Sequence, residues 1–273
     1  GVFLVAINVG FLPVPLVWLL SIAGAVVFGA AWAFIPAYLQ AKRGSHVVIT
    51  TIMFNFIASS LMVFLLVDVI RDTNQMGPHT VALPKEMWFP GFKELGALFG
   101  IKIRYSPLNL SFLLAILASI FVWFLVWKTK WGYEMRAVGH NTQAAIYAGI
   151  SPYKNIIIAM LISGGLAGLL GVNEILGVHH KIVSGFPAGY GFTGIAVALM
   201  GRNHPIGIFP AAFLFGILYQ GGSEVTFDMP NITRYMFVAV QGVIILFSGA
   251  LENLFRPQIE SFFVNRLNFR REV

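Results

Sequence analysis

Amide side chains occur within the apolar stretches of the chain, among them Asn55, Asn173, Gln220 and Gln241. Asn55 is flanked by Phe54 and Phe56. An amide can hydrogen-bond the edge of a nucleobase or the hydroxyls of a sugar, and a phenylalanine ring offers a face for stacking. Each amide alone is better explained as one that hydrogen-bonds neighbouring helices. As a set, they predict a polar path suited to a nucleoside.

A carboxylate, Glu174, lies in the same kind of stretch. Small residues at Ser163, Ala167 and Gly171 recur every four positions and form a face on which another helix can pack closely, as do Gly164 and Gly168. Glu174 follows Gly171 on that face, so we expect its side chain to point into protein. A carboxylate inside a membrane is costly and is a functional candidate. Pairing with Lys181, or contact with interfacial water, explains it equally well.

Two other kinds of chemistry are excluded by the sequence. The adjacent His179 and His180 lack the i, i+4 partner that a zinc site would require, and the chain contains no cysteine, so we expect no metal site. No G-x-x-x-x-G-K-[ST] phosphate loop occurs, so the chain does not bind ATP in that manner. We expect no cofactor.

Composition shows which elements position these residues. Hydrophobic residues make up 58% of the chain and charged residues only 11%, whereas soluble domains are about 25% charged. A membrane-spanning helix needs roughly 20 mostly apolar residues. Such runs occur at Val14–Tyr38, Val47–Ile70, Leu108–Trp127, Ile156–Val178 and Tyr235–Phe255. The predicted fold is therefore an all-α polytopic membrane protein, a single domain over residues 1–273 with about six to eight spanning helices or half-helices.

Two regions fit this scheme less simply. Gly191–Gly221 is apolar but is split by the polar sequence Gly201–Pro205 into two pieces, each predicted to be shorter than a full span, so it either crosses twice or forms a re-entrant hairpin. Both return the chain to the same side. Gly1–Leu12 is apolar and begins abruptly, and we interpret it as the end of a span that starts earlier.

Basic residues give the orientation. Eleven Lys and Arg residues fall on one side of the predicted spans and seven on the other, five of them in one long loop, so the first side is predicted to be cytoplasmic. This side carries residues 128–155, here called the coupling loop, and the tail 256–273. The net charge of +7 is explained by this bias, and no basic cluster on a soluble surface points to nucleic acid.

The opposite side carries a long loop at residues 71–107. Pro78, Pro84, Pro90 and Gly91 indicate a folded loop rather than another span. Its aromatic residues Trp88, Phe89 and Phe92 are expected to lie at headgroup level as an interfacial belt, or alternatively to form a recognition patch. If another protein docks on this outer side, this loop and the Gly177–Tyr190 turn are the two candidates for its docking surface.

The coupling loop is polar yet helix-competent. Asn141 is a good N-cap, Thr142–Ala148 are fair helix formers and Gly149 is a stop signal, which together predict a short helix lying along the membrane. Its sequence R-A-V-G-H-N-T-Q-A-A-I-Y-A-G-I resembles the loop by which permease subunits of ABC importers for nucleosides and simple sugars contact their ATPase. The resemblance assigns this contact to the following residues: Glu134, Arg136, Gly139, Asn141, Ala144, Ala145, Tyr147 and Gly149.

Two further segments carry the same resemblance, Val47–Ala58 and Gly189–Gly207. Family members have additional spans ahead of the first one seen here. The resemblance implies a bacterial inner-membrane permease for nucleosides, or else for simple sugars, with its C-terminus in the cytoplasm. It implies an ABC ATPase subunit, a second permease subunit and an extracytoplasmic substrate-binding protein as partners, besides membrane lipid. The alternative from another class is an ion-coupled secondary transporter or channel, for which Glu174 is the one candidate site.

Overall fold

The computed structural model describes residues 2, 13–71, 77–94, 100, 108–185, 189–229, 236–237, 239–244 and 246–247. The chain forms two compact units, Gly1–Phe186 and Pro187–Val273. The first contains α1 (Val14–Arg43), α2 (Val47–Phe64), α3 (Ser111–Lys128), α4 (Lys130–His140), α5 (Thr142–Tyr147) and α6 (Pro152–Val172). The second contains α7 (Tyr190–Met200) and α8 (Pro205–Asp228). α2 continues as the π-helical turn Leu65–Val69, and α6 as Asn173–Val178.

Five helices in the described residues are long and apolar enough to cross a membrane. Four of them, Val14–Arg43, Val47–Val69, Ser111–Lys128 and Pro152–Val178, confirm the spans predicted in those regions. The predicted span Tyr235–Phe255 lies mostly outside the described residues, although those that are described within it are helical. The chain is therefore an all-α polytopic membrane protein.

The fifth helix corrects one prediction. The apolar piece after the Gly201–Pro205 turn was expected to be shorter than a span, but Pro205–Phe227 is long enough to cross. The helix runs past Gly221 through Ser223 and Glu224 to Asp228; its last two turns are polar and were not counted as part of a span. The preceding piece, α7, is short as predicted, with 11 residues or about 16 Å of helix.

α1 and α6 pack together over most of their lengths through glycines. A Cβ atom at Gly168 would lie 2.1 Å from the carbonyl oxygen of Ala25, and one at Gly164 would lie 2.3 Å from the Cβ of Ala33. The two backbones therefore touch, as small residues in membrane helices permit. Of the two predicted small-residue faces, Gly164 and Gly168 form this contact, whereas Ser163 and Ala167 remain exposed.

Residues 77–94, here called the cap, fold onto the ends of α1, α3 and α6. The backbone N–H of Phe89 donates to the carbonyl of Leu176 at 2.9 Å, and that of Leu83 donates to the carbonyl of His180 at 2.8 Å. Phe89 is only 5% exposed and meets Trp18 edge to face, with ring centroids 5.4 Å apart. The expected interfacial belt is therefore wrong for Phe89, which belongs to the core of this unit.

The other two cap aromatics also contact protein. Trp88 stacks on His180 with ring centroids 3.6 Å apart, and Phe92 meets Phe112 edge to face at 6.2 Å. The cap and the turn after α6 are further joined by an isolated β-bridge between His79 and Val183. The two segments that were proposed separately as docking candidates thus form one continuous surface.

Candidate functional site

The coupling loop begins with a sharp turn between α3 and α4. Thr129 joins the two helices: its hydroxyl donates to the carbonyl of Leu125 at 2.6 Å and accepts from the N–H of Gly132 at 3.2 Å, capping α4. A Cβ atom at position 132 would lie 2.2 Å from the Leu125 carbonyl oxygen. Only glycine therefore lets α4 pack directly onto the end of α3.

The predicted short helix is present as α5. The Asn141 side chain accepts from the N–H of Ala144 at 3.0 Å, as an N-cap residue does. The chain leaves α5 at Gly149, whose φ of 77° lies in the left-handed region that glycine adopts without strain. Both predicted signals are confirmed. α4, not foreseen as a separate helix, ends one residue before Asn141.

Polar contacts attach the loop to α6. The Asn155 amide donates to Glu134 Oε2 at 3.5 Å and to the carbonyl of Ser151 at 3.1 Å. Lys130 Nζ lies 3.8 Å from Glu134 Oε1. Glu134 is thus held by its own chain. Asn155 was not among the predicted residues, although a polar residue in the first turn of an apolar span was a usable signal.

The predicted contact residues differ sharply in exposure. Tyr147 is 92% exposed and Ala144 is also exposed, but Ala145 is only 3% exposed and packs within its own chain. Arg136 and Gly139 are exposed on α4, where the Arg136 Nε donates to the carbonyl of Gly132 at 3.4 Å. Ala145 therefore offers little surface to another protein, and its assignment to the ATPase contact stays a prediction. Its buried methyl group instead fits α5 against the body of the unit.

A connected set of polar side chains lies at the ends of α3 and α6 that are far from the coupling loop. Its members, called the polar cluster, are the buried Asn109, Ser111 and Glu174, the half-buried Asn173 and the exposed His179. Glu174 is only 6% exposed, which confirms that it points into protein. Its Oε1 accepts from the Asn173 amide at 3.0 Å, and its Oε2 lies 3.4 Å from His179 Nε2.

Lys181 was one of the partners considered for Glu174, but in the structure His179 lies beside its carboxylate. The π-helical turn places residues i and i+5 together, and the His179 N–H donates to the Glu174 carbonyl at 2.7 Å. Asn109 and Ser111 were not predicted. Two polar residues at the start of the predicted Leu108–Trp127 run were the available signal.

The remaining predicted path residues are not joined to this cluster by any described contact. Asn55 and Phe56 are exposed on α2, a helix without a buried residue, and Phe54 meets Trp32 edge to face at 6.0 Å. In the second unit, the Gln220 amide donates to Glu224 Oε1 at 3.1 Å. Gln241 is half-buried.

Among the described groups outside the spans, His180 has a clearly shifted pKa. Burial against the cap lowers the pKa of His180 from 6.5, the charge on neighbouring His179 adds to the lowering, and a hydrogen bond with the backbone of Leu176 opposes it. Its backbone φ of 56° is unusual for a residue other than glycine. The neutral ring is therefore the form that packs on Trp88.

Comparison with known proteins agrees with this architecture. The chain is 36% identical over 229 residues to the guanosine ABC transporter permease protein NupP of Bacillus subtilis, covering 84% of this chain and 63% of that protein. It is 35% identical over 232 residues to the nucleoside ABC transporter permease protein NupB of Lactococcus lactis, covering 84% and 62%.

A third relative is a glucose permease. The glucose ABC transporter permease protein TsgB13 of Haloferax volcanii is 33% identical over 272 residues, covering 97% of this chain and 69% of that protein. The chain thus spans a little under two thirds of NupP and NupB. No solved structure shows a significant match.

One family covers most of the chain, including α1 to α8, the coupling loop and the polar cluster. Its members are transport components rather than enzymes. Residues 2–249 match this family, and the protein is a multi-pass membrane protein that belongs to the family described as branched-chain amino acid transport system, permease component.

Proposed function

We propose that this chain is a permease subunit of an ATP-driven ABC importer in the bacterial inner membrane and forms part of a translocation path for nucleosides. The observation that carries this proposal is the similarity to the guanosine and nucleoside permeases together with the geometry of the coupling loop. The second candidate substrate is a simple sugar. It is favoured by the glucose permease, to which nearly the whole chain is similar.

The coupling loop supports contact with a separate ATPase subunit. α5 presents Tyr147 and Ala144 to solvent, and α4 is fixed to α3 at Gly132 and to α6 through Glu134 and Asn155. A movement imposed on α5 would therefore reach two spanning helices through short, packed connections. In this proposal the coupling loop and the C-terminal tail are cytoplasmic, because the basic residues concentrate on that side.

The cap supports a second contact, with a substrate-binding protein outside the cell. It joins the turn after α6 and exposes charged residues of both signs, Lys85, Glu86, Lys93 and Glu94. Charges of both signs suit a specific, electrostatically guided contact between two proteins. A second permease subunit would complete the path. Asn55, Gln220 and Gln241 remain the candidates for contact with substrate, because Asn173 and Glu174 are engaged within the polar cluster.

Transport by the complete complex in lipid vesicles tests the proposal. Vesicles containing the permease with its ATPase, supplied with ATP inside and binding protein outside, should accumulate radiolabelled guanosine, and unlabelled glucose should not compete. Uptake of glucose without guanosine would select the sugar alternative. Uptake that persists without ATP and follows an ion gradient would contradict the importer assignment.

A further inference from the structure

Asn109 lies where the cap, α3 and α6 meet. Its side chain is only 6% exposed, and its amide donates to the carbonyl of Gly177 in the π-helical turn at 3.1 Å. Its Oδ1 accepts from the backbone N–H of Ser111, the first residue of α3, at 2.9 Å. Its backbone forms an isolated β-bridge with Gly91 of the cap. One buried residue therefore bonds three separate segments.

Hydrogen bonds continue from Asn109 without a break. The Ser111 hydroxyl lies between the Oδ1 atoms of Asn109 and Asn173, and its single proton serves one of them at a time. Asn173 donates to Glu174, and Glu174 faces His179. Buried polar groups that are all partnered rigidify the site they occupy. The cluster thus joins the first turn of α3 to the end of α6.

The π-helical turn makes these bonds available. A π turn widens the helix by one residue and often occurs at functional positions. Here the carbonyl of Leu176 accepts from Phe89 of the cap, and the carbonyl of Gly177 accepts from Asn109. A Cβ atom at Gly177 would lie 2.4 Å from the Asn109 amide nitrogen, so there is no room for a side chain between them.

We infer that Asn109 is a positioning residue that fixes the cap to α3 and α6, so that a protein docking on the cap displaces the outer ends of both helices together. This inference rests on the proposed function. It gives the polar cluster a role in transmitting the docking event rather than in binding substrate. α3 and α6 then carry the displacement to the coupling loop, to which both are directly attached.

ATP hydrolysis by the reconstituted complex, measured while the substrate-binding protein is titrated, tests this inference. The variant is Asn109→Leu, which removes the three hydrogen bonds of the Asn109 side chain while keeping a similar size. We expect unchanged basal hydrolysis and an unchanged half-stimulating concentration of binding protein, since neither docking surface nor ATPase contact is altered. Maximal stimulation should fall about tenfold, within the range of coupling between distant protein sites.

A second variant guards against misfolding of the first. Gly177→Ala should displace the Asn109 amide and reproduce the loss of maximal stimulation. The matched control is Gly171→Ala in α6, before the π-helical turn. A Cβ atom there would lie no closer than 3.9 Å to the nearest neighbouring atom, so stimulation should be unchanged. Full stimulation in the Asn109 and Gly177 variants, or an equal loss of basal and stimulated hydrolysis, would overturn the inference. Absence of stimulation in the wild-type complex would instead overturn the proposed function on which it rests.

Discussion

At the scale of single residues, Ala145 and Tyr147 show how two neighbours on one short helix take opposite roles. Ala145 is buried in its own chain, whereas almost the whole Tyr147 side chain faces solvent. An exposed tyrosine is a common anchor of protein interfaces because it buries a large surface at little entropic cost. Tyr147 is therefore the residue of α5 that we expect to enter a groove of the ATPase.

The same new side chain at both positions separates the two roles. Tyr147→Arg should leave the melting temperature of the purified permease unchanged and lower its affinity for the ATPase about tenfold, the effect of losing roughly 1.4 kcal/mol at an interface. Ala145→Arg should instead destabilise the permease by about 3 kcal/mol or more, because it places a charge in a packed site. Pull-down with the ATPase measures the affinity, and thermal unfolding in detergent measures the stability of the permease. Equal affinity of the wild type and Tyr147→Arg for the ATPase would contradict the proposed contact.

His180 gives a prediction about pH. Because the pKa of His180 is lowered when the cap is packed, the released cap binds the proton more readily. Packing of the cap should therefore be strongest above pH 6.5 and weaken as the pH falls from there through the lower pKa of the packed state. Hydrogen exchange at the Leu83 N–H, which donates to the His180 carbonyl, reports this after correction for intrinsic exchange.

The matched variant is His180→Asn, since asparagine tolerates the left-handed backbone and does not titrate in this range. Other groups near the cap remain in both proteins. They are His79, Lys85, Glu86, Lys93 and Glu94 of the cap itself, with Glu174, His179 and Lys181 from the end of α6. Subtracting the variant isolates the contribution of His180. An identical pH dependence in both proteins would exclude the histidine as its source.

Local signals were predictable from sequence at this scale, and longer-range partners were not. Asn141 and Gly149 act on backbone groups two to four residues away, so their roles follow from the order of residues alone. The pairing of Glu174 with His179 depends on the π-helical turn, and an α-helical period points to residues three or four positions away instead. Asn109 joins segments that are distant in sequence, which no local pattern indicates.

At the scale of helices, the contact between α1 and α6 predicts opposite effects for one substitution at two glycines. Gly171→Ala should be neutral or stabilising by up to about 1 kcal/mol, because alanine has the higher helix propensity and space is available. Gly168→Ala should destabilise by about 1–3 kcal/mol, the usual effect of overpacking, because the new methyl group meets the Ala25 carbonyl. Thermal unfolding in detergent compares them; equal melting temperatures would contradict the backbone contact.

The helices themselves were largely predictable, because an apolar run of about 20 residues satisfies its backbone hydrogen bonds within a membrane by forming a helix. α8 was the exception. Its apolar stretch ends near Gly221, but the helix continues with residues such as Glu224 and Thr226, which hydropathy does not recognise as part of a span. Thr226 donates to the carbonyl of Gly222 at 2.8 Å and so satisfies its hydroxyl within the helix.

For the whole molecule, the length of α8 bears on topology. A helix that can cross the membrane begins at Pro205, so we expect the turn before it to lie at a membrane face, and the basic residues favour the cytoplasmic one. Asn203, exposed in this turn, is a suitable reporter because the chain has no cysteine. Asn203→Cys should be labelled by an impermeant maleimide in inside-out vesicles and not in spheroplasts.

A cysteine at Lys85, in the exposed part of the cap, provides the matched control and should show the reverse pattern. Labelling of Asn203→Cys in intact spheroplasts would contradict the assigned orientation. The orientation stays a prediction from charge alone, since the helices contain no signal of direction. Amino-acid composition and residue spacing do not predict how partner proteins are arranged around the chain.

The glycine contact between α1 and α6 also has a consequence for biosynthesis. Gly164 is translated roughly 130 residues after Gly29, which at bacterial rates takes on the order of ten seconds. During that interval the nascent α1 has no α6 to cover its small-residue face. We therefore expect ribosome-bound chains that stop before α6 to expose this face to lipid or to the insertion machinery, and to be degraded unless synthesis resumes.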